Sequence, residues 1–91
     1  MATTFVIADV RLVAAYSDGS QREVTTRMEF ITFTGDLLVR LGPPDGRGHA
    51  TQIDLYGPDG GSERYTLAEG GQGGGYAIYA GGASRLAVLW V

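Results

Sequence analysis

From residue 4 to 16 the chain alternates. The even positions Val6, Ala8, Val10, Leu12, Ala14 and Tyr16 are apolar or aromatic, and the odd positions include Asp9 and Arg11. A period of two marks a strand with one buried face. A second such set follows at Val24, Met28 and Phe30. No segment carries a sustained 3.6-residue apolar period with caps, so no helix longer than about one turn is expected. Short apolar runs separated by Gly, Pro and Asp predict strands at 4–16, 20–33, 37–41, 49–56, 63–68, 75–80 and 84–90. Seven short strands with turn punctuation predict an all-β fold: one small antiparallel β-sandwich, or a partly open barrel, joined mainly by hairpins. Residues 1–91 read as a single β domain.

The turns decide which residues are buried. A two-residue turn at Asp18-Gly19 would put the apolar sets of its two strands on opposite faces. A three-residue loop, Ser17-Asp18-Gly19, sets Leu12 against Val24, Ala8 against Met28 and Val6 against Phe30. One coherent buried face requires the second register. Its loop is a type I turn closed by a bulge with Gly19 left-handed. The same test at the C-terminal hairpin favours a three-residue loop, Gly81-Gly82-Ala83, with Ile78 facing Leu86 and Tyr76 facing Val88. An odd loop between 49–56 and 63–68 keeps Ile53, Leu55, Tyr65 and Leu67 together. The expected core is then Val6, Val10, Leu12, Val24, Met28, Phe30, Leu37, Val39, Leu41, Ile53, Leu55, Tyr65, Leu67, Tyr76, Ile78, Leu86, Val88 and Trp90.

Several strands are apolar on their other face too. Phe5, Ile7, Val13, Ile31 and Phe33 lie there at one end, and Ala77, Tyr79, Ala87, Leu89 and Val91 at the other. Either a second sheet covers that face or a partner does. The last strand has only Arg85 at its start to guard it as an edge. It must be central, covered, or paired with another chain, and pairing with a second copy is the expectation.

Composition narrows the function. Net charge is −3, and all seven basic residues are arginines scattered along the chain, so no basic stripe for nucleic acid exists. No run approaches a membrane span. No basic stretch precedes an apolar one at the N-terminus, which reads as no signal peptide and a cytoplasmic or virion location. Lysine and asparagine, both with AT-rich codons, are absent, which fits a GC-rich bacterial or phage genome. Cysteine is also absent, which removes disulfides and thiolate zinc sites.

At "LVAAYSDGSQREVT", residues 12–25, the chain resembles bacterial immunoglobulin-like domains of group 2 through Tyr16, Ser17, Asp18, Gly19, Ser20, Val24 and Thr25. The tryptophan-and-serine segment expected after that hairpin is replaced by Arg27-Met28-Glu29-Phe30. The resemblance implies a sandwich with an adhesive or structural role on a cell or phage surface.

Catalytic chemistry has little to stand on. Ser62, His49 and Asp59 supply the residue types of a nucleophile triad, but no elbow such as GxSxG accompanies them. His49 reads as a surface strand residue. Asp18, Asp45 and Asp59 each precede a glycine, as good turns require, without the alternating acids of a calcium loop. The run 70–75 lacks phosphate-loop spacing and reads as a connector. No cofactor or metal is expected. The function read from the sequence is a non-enzymatic protein-binding or assembly module: a phage particle component or a small interaction or inhibitor protein. Tyr56, Tyr79, Ala87, Leu89 and Val91 are its candidate contact residues, for a protein partner or a second copy. The alternative is a carbohydrate-binding or surface-adhesion module using the tyrosines.

Overall fold

Residues 4–42, 48–70, 75–82 and 84–90 are described by the computed structural model. They contain seven strands and no helix: β1 (Thr4–Ala15), β2 (Gln21–Ile31), β3 (Leu37–Leu41), β4 (Gln52–Tyr56), β5 (Ser62–Gly70), β6 (Tyr76–Ala80) and β7 (Leu86–Trp90). No helix is long and apolar enough to cross a membrane among these residues.

The sheet closes on itself in the order β1-β2-β3-β7-β6-β5-β4. Of the two forms expected from the sequence, a sandwich or a partly open barrel, the sheet takes the barrel, closed, and one of its pairings is parallel where all were expected antiparallel. Two runs of hairpins, β1-β2-β3 and β4-β5-β6-β7, are zipped together twice: antiparallel between β1 and β4, and parallel between β3 and β7. Closure removes most free edges, which two stacked sheets would leave open. The interior holds Val10, Leu12, Ala14, Tyr16, Val39, Leu41, Ala50, Ile53, Leu55, Tyr65, Ala77, Tyr79, Leu86 and Val88, with Val24, Met28, Leu37 and Leu67 packed against them.

The first hairpin follows the expected register. Leu12 pairs with Val24 and Ala8 with Met28. The Tyr16 N–H donates to Ser20 O at 2.9 Å, the Gly19 N–H to Tyr16 O at 3.0 Å, and Gly19 has φ of 86°. The β4–β5 turn repeats this construction. The Gly57 N–H donates to Gly61 O, the Gly60 N–H to Gly57 O, and Gly60 also has φ of 86°. In both turns the aspartate accepts the N–H two residues on: Ser20 to Asp18 and Gly61 to Asp59. The loop is odd, as expected, and Ile53 pairs with Tyr65 on the shared face.

Four expectations fail. A bulge between Val6 and Ala8 shifts the register, so Val6 pairs with Glu29 and Phe5 with Phe30. Val6 is 57% exposed and Phe30 only half-buried. The C-terminal hairpin has an even connection: Tyr79 pairs with Leu86 and Ala77 with Val88. Strand β6 is therefore inverted, with Ala77 and Tyr79 inside, Ile78 half-buried and Tyr76 50% exposed. Tyr79 fits because its hydroxyl donates to Ala50 O at 2.7 Å in the interior. Finally, β7 lies between β3 and β6, so it is central and offers no edge to a second copy. The start of its parallel seam is pinned by Arg85, whose guanidinium makes two contacts to the Asp36 carboxylate at 3.2 and 3.3 Å, and by Leu37 N–H donating to Arg85 O.

Candidate protein-binding site

Closure leaves some stretches of strand paired on one side only, residues 21–28 of β2 and the start of β1 among them. β4 pairs with β1 from Arg11 to Ala15, and the last pair is Arg11 with Tyr56. There the Gly57–Gly61 turn carries the chain away into β5. β1 continues without it. Among the described residues, 4–10 are paired only with β2. Their backbone groups on the other side form a row of donors and acceptors, the template for an added strand.

This ribbon is apolar and exposed. Phe5 is 59% exposed and Ile7 50%, beside Val6, and Phe33 in the following turn is 84% exposed. Its base is held by charge. The buried Glu29 carboxylate accepts from the Thr4 hydroxyl at 2.8 Å and pairs with the Arg40 guanidinium. Asp9 faces Arg27 across the β1–β2 pair. The bulge at Val6–Ala8 presents successive apolar side chains that strict alternation would have split between two faces.

A cavity of about 390 Å³ lies at the foot of this edge, at the barrel mouth. Val10, Met28, Leu37 and Leu55 make its floor, and Asp59 and Glu63 stand at its rim. Glycines make room for both acids. A Cβ on Gly57 or Gly61 would lie 3.1 or 3.2 Å from Asp59 Oδ1, and one on Gly82 would lie 2.9 Å from Glu63 Oε2. Glu63 also accepts a hydrogen bond from the Tyr65 hydroxyl. Burial, and secondarily this bond and charge, push the Tyr65 pKa up.

No family model, curated protein or solved structure matches the chain.

The contact residues expected from the sequence do not form one surface. Tyr79 is inside the barrel, 1% exposed. Tyr56 is half-buried on the outer face, with the Arg11 guanidinium 4.3 Å above its ring and Glu23 3.3 Å from that guanidinium. Ala87 and Leu89 alternate with the buried Leu86 and Val88 and so face outward, Ala87 buried and Leu89 half-buried, beside Ile78 and Tyr76. Val91, Asp45 and positions 71–74 lie outside the described residues, as does the side chain of Trp90. Ser62 and Asp59 reach the mouth cavity, but His49 is not in its lining, and Asp59 is engaged in its turn. No group of three or more His, Cys, Asp or Glu among the described residues could hold a metal ion.

The ribbon was partly legible. Phe5, Ile7 and Phe33 already stood out as an apolar set on the wrong face. Nothing local signals that β4 would leave β1 at Arg11, because the β1–β4 pairing joins segments about forty residues apart.

Proposed function

We propose that this protein is a non-enzymatic binding module that takes an extended segment of a protein partner along the free edge of β1. The observation that carries the reading is the unpaired side of residues 4–10, flanked by exposed Phe5, Val6 and Ile7. Main-chain hydrogen bonds supply affinity in such docking, and alternate side chains supply selectivity. Glu29 with Thr4 and Arg40 holds the ribbon in place beforehand, which lowers the ordering cost of binding.

Peptides selected on the wild-type protein from a random nine-residue library test this. They are expected to slow amide exchange at residues 4–10. The double variant Val6→Lys/Ile7→Lys should weaken them about tenfold or more, since each buried aliphatic side chain contributes about 1.5–3 kcal/mol. Selected peptides that leave those amides unchanged and bind both proteins alike would refute the reading. Sedimentation separates a foreign partner from a second copy: a wild-type dimer that the double variant dissolves would make the partner another molecule of this chain.

A further inference from the structure

We propose, resting on the reading of β1 as a docking edge, that the cavity at the barrel mouth is its specificity pocket and takes a lysine or arginine side chain from the docked segment. Position comes first. A segment that carries on the line of β4 beyond Gly57 runs antiparallel to β1. Ala8 shares the inward parity of Val10 and pairs with Met28. A residue directly across from Ala8 points to the same face, toward the cavity that Val10 and Met28 line. Ala8 itself is small and half-buried, so it leaves that path open.

Chemistry selects the side chain. The floor is aliphatic and suits a methylene stem, and the rim carries two carboxylates with no cation in the lining. Long basic side chains bury their stems and keep the charged head at a polar rim. The volume of about 390 Å³ lies within the range of about 300–1,000 Å³ typical of small-molecule sites. Five of the protein's arginines are engaged elsewhere. Arg11 pairs with Glu23, Arg27 with Asp9, Arg40 with Glu29, Arg64 with Asp54 and Arg85 with Asp36. None of these pairs includes Asp59 or Glu63. A carboxylate accepts up to about four hydrogen bonds, so the single bonds from Gly61 and Tyr65 leave each acid capacity for a ligand's N–H groups.

Four seven-residue peptides of alternating threonine and valine, with lysine, arginine, norleucine or glutamate at the centre, provide the test by calorimetry and NMR. The lysine and arginine peptides should bind about tenfold tighter than the glutamate peptide, because like charges at an interface repel. They should also shift the Met28 methyl and the carboxyl carbons of Asp59 and Glu63. The double variant Asp59→Asn/Glu63→Gln keeps the acceptors for Gly61 and Tyr65. It should erase the preference for basic over acidic peptides and leave the norleucine peptide unchanged. If all four peptides protect the amides of residues 4–10 equally, the pocket assignment is wrong and the docking edge stands. If none protects them, both fall.

Discussion

Two glycines show how differently the same residue type is constrained. Gly19 needs only its left-handed φ of 86°, since a Cβ there would meet nothing within 4 Å. Gly19→Val should cost about 1–2 kcal/mol, the cost of left-handed backbone to an ordinary residue. Gly81 combines φ of 153° with a close approach in which a Cβ would lie 2.3 Å from Arg64 O. Gly81→Ala should cost more, about 2–4 kcal/mol, from strain and overpacking together. Urea unfolding ranks the two, and a smaller loss at Gly81 would contradict this. Tyr79 makes the sharpest pH prediction. Burial first, and nearby Tyr16 second, push its pKa up to about 12, against about 10 in an unfolded chain. The folded state holds the proton longer, so this contribution is complete below about pH 10. It is lost as pH rises toward about 12. Tyr65 shifts in the same direction. Stability should therefore fall along an alkaline limb. Tyr79→Phe should flatten that limb and cost about 1 kcal/mol at neutral pH through the lost bond to Ala50 O. An alkaline limb identical in wild type and variant would refute the assignment.

Within single elements, parity succeeded where one face was plainly apolar. β1 sets Asp9 and Arg11 between apolar even positions and β2 offers Val24 and Met28, so the Leu12–Val24 register was fixed by burial and the loop length followed. β6 reads Tyr-Ala-Ile-Tyr-Ala, with apolar residues on both faces, and the three-residue loop expected at Gly81-Gly82-Ala83 gave the wrong face. What settles it is the Ala50 carbonyl, placed by a distant connection that no local pattern reports. The bulge at Ile7 was hidden because Phe5, Val6, Ile7 and Ala8 are all apolar, so no local pattern marks where the register shifts. The exposed ribbon of β1 was therefore half visible, as Phe5, Ile7 and Phe33 on the face opposite the expected core. The β3–β7 seam depends on a side-chain pair at its start. Asp36 is buried, and Arg85 is its bidentate partner. Arg85→Ala should cost about 1–3 kcal/mol, the cost of leaving a buried polar group unmet. Exchange should quicken at Leu37 and Leu38 before β1 responds. Uniform loosening of the barrel would argue against a local clasp.

At the scale of the molecule, the sequence indicated seven strands but not their circular order, because hairpins are written locally and the two seams are not. A fold closed by such distant pairings has a high contact order, and refolding should take milliseconds to seconds. Stopped-flow tryptophan fluorescence measures this, and a microsecond phase carrying the whole amplitude would contradict it. The parallel seam has a further consequence during synthesis. β3 cannot find its neighbour until β7 has been made, and about fifty residues separate Leu41 from Trp90. At roughly 5–20 residues per second, the nascent β1-β2-β3 meander waits several seconds on the ribosome with Val39 and Leu41 uncovered. Closure thus waits for the synthesis of β7. Over that interval the growing chain is an open sheet, and a holdase at the exit tunnel would meet a molecule quite unlike the finished barrel.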